Sequence, residues 1–269
     1  MNQTQPADLT PFQTWFADCP GALVAFSGGV DSSLVTFLAR ALLGPERVLA
    51  VISASPSLKL SDLDTAKAFC LTHDIPLRVI RTAELGNPDY YTNPANRCYF
   101  CKHTLYSDLD AYGQEFSGWW ILNGTNQDDL GDYRPGIRAG REFEVRSPLA
   151  ECGFQKPAVR ALASALSLEC WDKPASPCLS SRIPYGQRVT EQKLRQIEAG
   201  EQFLNELGFP VARVRHNDDR AVVEVPGERL ADLGRVADTV SEHLLGLGFQ
   251  AVEIDREGFV SGKLNRALL

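Results

Sequence analysis

ALVAFSGGVDSSLVTFLARALL, residues 22–43, decides the fold. Its first five residues form an apolar run too short for a helix and bounded by glycines. Its last twelve, from Ser32, carry apolar residues at helical spacing. Between the two, Gly28 and Gly29 let the backbone turn tightly and approach a ligand with no Cβ in the way. The N–H groups of the following helix and the hydroxyls of Ser27, Ser32 and Ser33 then face an anion. The stretch has neither the length nor the lysine of G-x-x-x-x-G-K-[ST], so it is not a P-loop of the kinase or GTPase kind. A glycine pair alone reads as an ordinary strand-to-helix turn. The full S-G-G-x-D-S string between an apolar strand and a helix predicts a phosphate-binding loop.

Outward from this loop the chain alternates strands and helices. VLAVIS (48–53), LRVIRT (77–82) and WWILNGT (119–125) read as strands. LSDLDTAKAFCLTHD (60–74) reads as an amphipathic helix, with Ser61 as its N-cap and Asp64 three positions on. Buried strands alternating with helices predict an α/β fold, a doubly wound parallel sheet whose ligands bind beyond the carboxyl ends of the strands. After SSRIPYGQRV (180–189) the texture changes. A polar helix is expected over 190–208, strands over 211–216 and 221–225 joined by NDDR, a helical stretch over 227–248 and a last strand over 251–255. This order suits a small C-terminal α+β domain. The expected division is 1–185 and 186–269.

Length and composition, 269 residues with 44% hydrophobic and 23% charged, are those of a globular protein of one or two domains. The start of the chain has no basic segment followed by an apolar run, and no stretch approaches eighteen consecutive apolar residues. No secretory signal and no membrane span are expected, and the expected address is the cytosol. The net charge of −7 argues against a broad nucleic-acid surface. In the cytosol the seven cysteines are expected as thiols, and an odd count suits a disulfide framework poorly. Cys19, Cys70, Cys152 and Cys170 have no partner spacing and read as small core or boundary residues. Cys98 and Cys101 form a C-x-x-C pair ahead of a helix, and Cys178 lies in a Pro- and Ser-rich loop.

SGGVDS resembles the PP-loop of the N-type ATP pyrophosphatases, a superfamily that includes GMP, NAD and asparagine synthetases and several thiolating enzymes. The resemblance implies ATP-Mg with its pyrophosphate on the loop, cleavage between the α- and β-phosphates, and an adenylylated product. LNGTNQDDLGDYRPG (122–136) is similar to the second nucleotide-site loop of that superfamily. The match implies that Ser53 and Gly124 help hold the nucleotide and that Asp31 positions Mg²⁺ or its waters.

A narrower resemblance covers nearly the whole chain. FSGGVDSSLV, NGTNQDDLGDYRPGIRA, SPL and KPASPCLSSRIPYG, with the C-terminal α+β domain, resemble the LarE-type ATP-dependent sulfur transferases of nickel-pincer nucleotide synthesis. The family implies a small-molecule substrate, pyridinium-3,5-biscarboxylic acid mononucleotide. Its carboxylate is activated as an acyl-adenylate and attacked by sulfur, leaving a thiocarboxylate. In the sacrificial form of the family, one catalytic cysteine at the Cys178 position gives up its sulfur and becomes dehydroalanine. The family also implies a homo-oligomer larger than a dimer.

The sacrificial route has no use for Cys98 and Cys101. Cys98, Cys101 and Cys178 as three thiolate ligands could hold a [4Fe–4S] cluster, leaving one iron to carry an exogenous sulfide. The sequence carries no signature of the sulfide donor. Three other readings stay open: a redox pair, a zinc site completed by Cys178 and His103, and a structural pair.

In the C-terminal domain Arg213 and Arg215 fall on one face of a strand and suit a substrate phosphate, a role the family also implies. The plainer reading is a solvated edge strand. Ser181 and Arg182 are expected at the same pocket, with Glu201 and Asp232 as candidates for acidic or metal-linked roles, although helix carboxylates are usually solvated. His73, His103, His216 and His243 have no paired metal spacing. The rival functions are a PP-loop tRNA thiolase, against which the acidic charge counts, a non-catalytic ATP-binding protein, and an ammonia-using ligase.

Overall fold

The computed structural model describes residues 8–116, 118–131, 134–260 and 263–268. The chain gathers into two compact units. One holds the chain up to Glu84 together with Cys98–Ser176; the other joins Leu85–Arg97 to the chain from Pro177 onward.

The first unit is built on four parallel strands, β1 (Ala22–Ala25), β2 (Val48–Ser53), β3 (Leu77–Ile80) and β4 (Trp120–Leu122), in the order β3-β2-β1-β4. β1 is buried throughout, so its residues alternate between two apolar layers. Ala22 and Val24 enter a core with Phe12, Leu34, Leu38 and Leu149, while Leu23 and Ala25 join Val51, Tyr106, Leu109 and Ile121. Helices α1 (Thr10–Phe16), α2 (Val30–Leu43), α3 (Leu60–Thr72) and α5 (Arg97–Gly113) contribute to these layers, α5 following the single turn α4 (Pro88–Tyr91). Helices α6 (Pro135–Glu142), α7 (Pro148–Glu151) and α8 (Lys156–Ala165) complete the unit. Strand order reverses between β1 and β4, which makes the ends of these two strands the switch point where a ligand crevice opens.

The expected parallel α/β sheet is observed, with two local corrections. Ser61 is not the N-cap of α3; Lys59 is, without a side-chain cap, and Ser61 lies inside the first turn with its carbonyl accepting from Thr65 Oγ1 at 2.8 Å. β4 ends at Leu122 instead of running to Thr125. There the Asn123 side chain takes the Thr125 N–H at 2.9 Å and closes a turn that competes with the ladder.

The second unit holds α9 (Glu191–Glu206), β5 (Arg213–Asn217), β6 (Arg220–Glu224), α10 (Leu230–Arg235), α11 (Ala237–Gly246) and β7 (Ala251–Ile254). Thr190 caps α9 by accepting from the Lys193 N–H. β5 and β6 form an antiparallel hairpin, and β7 pairs parallel to β6. The helical stretch 227–248 breaks at Val236 (φ −115°, ψ 14°), where Gly234 and Val236 are both poor helix formers. A separate core of Leu204, Phe209, Val214, Val223, Leu233 and Leu244 closes this unit. Among the described residues no helix is long and apolar enough to cross a membrane.

Candidate active site

Gly28 turns the chain at the end of β1 with φ +69°, a conformation that costs a side chain. A Cβ there would also come within 3.0 Å of the Ala66 Cβ. Gly29 then begins α2 in extended geometry, with no side chain capping the helix, so its first amides are left for a ligand. Ser32 fastens the loop: its hydroxyl donates to the Gly29 carbonyl at 3.1 Å and receives the Ser27 N–H at 3.2 Å. Ser27 Oγ lies 2.9 Å from it. Ser33 differs from the expectation that its hydroxyl faces the anion. It is buried near the Cys170 thiol, and its backbone N–H makes a helical bond to Gly29.

The loop after β4 packs straight onto this helix start. A Cβ on Gly124 would sit 2.5 Å from the Ser32 nitrogen, so only glycine fits. Asn126 Nδ2 donates to Asp31 Oδ1 at 3.0 Å, while its own N–H is held by Asp129 at 3.1 Å. Asp129 in turn pairs with Arg134 at 2.7 Å. Asp128 takes the Lys156 N–H at 2.8 Å. Asp132 and Tyr133 of the same motif lie outside the described residues.

Two lysines flank the loop, and neither was singled out by the sequence reading. Lys156, at the start of α8, pairs its ammonium with Asp31. Lys173 Nζ lies 3.1 Å from the Gly28 carbonyl oxygen and 3.0 Å from Asp62 Oδ1, and Ser176 Oγ donates to the other Asp62 oxygen at 2.7 Å. The sequence signal, faint in isolation, is that each lysine opens a Lys-Pro-Ala triplet. Uncapped helix amides between two ammonium groups have the chemistry to receive an anion such as a polyphosphate, and Asp31 is the carboxylate beside them. Ser53, the last residue of β2, lies 2.6 Å from Thr82 Oγ1, whose hydroxyl donates to buried Glu84.

In the second unit a buried ion-pair network surrounds the loop of Cys178. Arg182 is 1% exposed, and its guanidinium meets Glu201 in two bonds of 2.8 and 3.0 Å. Its third nitrogen grips the Pro177 carbonyl at 2.6 Å, the Cys178 carbonyl at 3.1 Å and Ser181 Oγ at 2.8 Å. Arg215 pairs with Glu224 at 2.8 and 2.9 Å and donates to the Ser181 carbonyl at 3.1 Å. Arg213, 8% exposed, lies over the Phe259 ring; burial and then the Arg182 charge push its pKa down. β5 is an edge strand, yet Arg213 is buried and Arg215 half-buried, which corrects the solvated reading. Glu201 is likewise buried instead of solvated, also accepting the Val214 N–H at 3.2 Å. Asp232 is partnered by Arg229 and Arg235 on the surface of α10. Ser180 bonds Tyr90 at 2.7 Å and its carbonyl takes Arg97 at 3.0 Å, so the Leu85–Arg97 segment braces this loop.

None of the seven cysteines is in a disulfide. Cys70 is buried and pushed up to about 12, and burial also raises Cys19, Cys152 and Cys170. Cys98 and Cys178 are exposed, and Cys101 is half-buried one turn from Cys98 on α5. Among the described residues no three His, Cys, Asp or Glu side chains are gathered to hold a metal ion. Cys98 and Cys101 belong to the first unit and Cys178 to the second. His103 packs edge-on against Phe143.

A strand, an S-G-G-x-D-S turn and an uncapped helix, closed by a second glycine loop at the switch point, define a PP-loop domain. In agreement, the family model described as NAD synthase matches residues 16–86. Among curated proteins the chain is 41% identical over 266 residues to an uncharacterized protein of Synechocystis sp., covering 97% of each. It is 38% identical over 253 residues to pyridinium-3,5-bisthiocarboxylic acid mononucleotide synthase of Lactiplantibacillus plantarum, covering 93% of this chain and 91% of that protein. An uncharacterized protein of Methanocaldococcus jannaschii is 27% identical over 235 residues, 87% of this chain and 89% of its own. The chain belongs to the LarE family of ATP-using PP-loop enzymes.

Proposed function

We propose that the chain is a cytoplasmic ATP-dependent sulfur transferase. It converts the carboxylates of pyridinium-3,5-biscarboxylic acid mononucleotide to thiocarboxylates in nickel-pincer nucleotide synthesis. The observation that carries this reading is the uncapped start of α2, flanked by Lys156 and Lys173, in a chain 38% identical over 253 residues to the synthase from Lactiplantibacillus plantarum.

In the proposed reaction the amides after Gly29 and the two ammonium groups hold the β- and γ-phosphates of ATP. They stabilise the charge that develops on departing pyrophosphate. Asp31, released from Lys156 as the lysine turns to phosphate, is placed for Mg²⁺ or its waters. Ser53 and Gly124 border the nucleoside. The substrate carboxylate attacks the α-phosphorus, the bond to the bridging oxygen breaks, and pyrophosphate leaves with the electron pair. The acyl-AMP carbon then takes a sulfur nucleophile and expels AMP.

Arg213, Arg215, Arg182 and Ser181 are proposed to seat the substrate phosphate. Three guanidiniums against the carboxylates of Glu201 and Glu224 leave this pocket with a surplus of positive charge. Glu201 acts by holding Arg182 in place, and Asp232 is assigned only its surface pairs. We assign sulfur delivery to Cys178, with Cys98 and Cys101 as its companions. The support is exposure: Cys98 and Cys178 are open to solvent, whereas Cys19, Cys70 and Cys170 are buried. A [4Fe–4S] cluster bound by these three thiolates would supply a renewable sulfide from its open iron.

Anaerobic purification with iron and acid-labile sulfide analysis tests the sulfur source. About four of each per chain, lost on replacing any of the three cysteines, is expected for the cluster. Absence of iron, with Cys178 losing the mass of H₂S after turnover, identifies a single-use cysteine. Pyrophosphate release dependent on the substrate separates both from a non-catalytic ATP binder, and tight tRNA binding at moderate salt would instead favour a tRNA thiolase.

A further inference from the structure

We propose that Glu84 and Thr82 lock Ser53 as a hydrogen-bond acceptor that reads the 6-amino group of adenine. This inference rests on the nucleotide-site reading above and adds how the site chooses its base. The three groups form a chain at the carboxyl edge of the sheet. Thr82 Oγ1 donates to Glu84, which is 2% exposed, and Ser53 Oγ lies 2.6 Å from Thr82 Oγ1. Ala25, the last residue of β1, pairs with Val51, and β2 runs two residues further to Ser53, which puts Ser53 at the carboxyl edge where the phosphate loop leaves β1. The chain therefore ends beside the loop at the edge where a nucleotide lies.

The direction of each bond follows from the number of protons. A carboxylate has none, so Glu84 only accepts. Thr82 has one, and it is committed to Glu84. Thr82 can then only accept from Ser53, whose single proton is used up in turn. What Ser53 presents outward is lone pairs alone. A hydroxyl without such wiring rotates to suit donor or acceptor and reads neither. A fixed acceptor discriminates between an amino group and a carbonyl at the same ring position, the difference between adenine and hypoxanthine or guanine. Ribose hydroxyls, which donate and accept, would not need it. Ser53 is the contact residue; Thr82 and Glu84 are positioning residues acting through it.

The test is calorimetric binding of Mg-ATP, Mg-ITP, 2′-deoxy-ATP and 3′-deoxy-ATP to the full chain and to Ser53→Ala, Thr82→Val and Glu84→Gln. The native chain is expected to bind ITP at least about tenfold more weakly than ATP, since two acceptors are brought together. Ser53→Ala removes the reader and should bring the two affinities within about threefold of each other. Glu84→Gln keeps the shape but can donate to Thr82, which lets the chain run the other way and should narrow the gap chiefly by improving ITP. A purely structural role for Glu84 would weaken both nucleotides together. The inference is overturned by equal binding of ATP and ITP to the native chain, or by an unchanged ratio in Glu84→Gln and Thr82→Val. Discrimination confined to the deoxy analogues also overturns it, moving the contact to ribose. Absence of ATP binding overturns the nucleotide reading itself, whereas ATP binding with an unchanged ratio overturns this inference alone. Should one variant fail to fold, the other two carry the comparison.

Discussion

A Cβ on Gly124 would stand 2.5 Å from the backbone nitrogen of Ser32. The clash is with backbone at the first turn of a helix, which cannot swing aside as a side-chain tip can. Gly124→Ala is therefore expected to lower stability by about 1–3 kcal/mol, read by urea unfolding, and to weaken ATP binding by displacing the α2 amides.

Lys173 reaches the Gly28 carbonyl and Asp62 at the edge of the glycine loop, and the proposed function has it bind phosphate. Lys173→Ala is expected to weaken Mg-ATP about 10- to 100-fold by calorimetry, the scale of a lost charge-assisted bond, with little change in thermal midpoint. Lys173→Arg should recover part of the loss. Unchanged affinity in Lys173→Ala would show that the lysine only braces the loop.

Arg182 and Glu201 are both buried and meet in two bonds. Glu201→Gln leaves a guanidinium without its counter-charge and should cost about 3–5 kcal/mol of stability. The double variant Arg182→Met with Glu201→Leu should recover much of that in urea unfolding while losing sulfur transfer, because burial of the pair serves placement more than stability.

Replacing Cys98 by Ala should abolish multiple turnover and leave pyrophosphate release largely intact. Rapid-quench counting of thiocarboxylate per chain reads the first, and a coupled phosphate assay reads the second. Sustained turnover in this variant refutes a role for Cys98 in a renewable sulfur source.

Burial holds the Cys70 thiol protonated up to about 12, against an ordinary value of 9.0. Between those values the unfolded chain has lost the proton and the folded chain keeps it, so unfolding releases a proton and stability falls as pH rises. The contribution is complete below about pH 9 and lost as the pH climbs toward 12. Urea unfolding from pH 8 to 10.5 should show this decline, and Cys70→Ala should make it shallower, with Cys19, Cys152 and Cys170, also raised by burial, supplying the remainder.

The phosphate loop was legible in the sequence because its requirements are local: a left-handed glycine, an uncapped helix start and a buried strand leave few alternatives. β2 was legible because a strand buried between helices reads as an unbroken apolar run, whereas β3, with Arg78 within it and Val79 exposed, was legible from its β-branched residues alone. Lys156 and Lys173 were not, since they meet the loop from positions more than a hundred residues downstream and only the fold brings them there. Glu201 looked like a solvated helix carboxylate because the guanidinium that encloses it comes from outside its helix. Arg213 looked exposed because the ring that covers it, Phe259, lies beyond the last strand of the sheet. Ser61 had the right side chain for a cap, but the helix begins one residue before it. The grouping of Leu85–Arg97 with the C-terminal half interleaves the two units along the chain, which no linear reading of texture can reveal.

The guanidinium of Arg182 takes hold of the loop through the carbonyls of Pro177 and Cys178 and the hydroxyl of Ser181, and not through the thiol. The shape of that loop is thus written in its neighbours and is indifferent to what residue 178 carries. A sulfur could be stripped from that position, or another group installed there, and the scaffold would keep its form. Such a position is free to change its side chain without the protein having to learn a new fold.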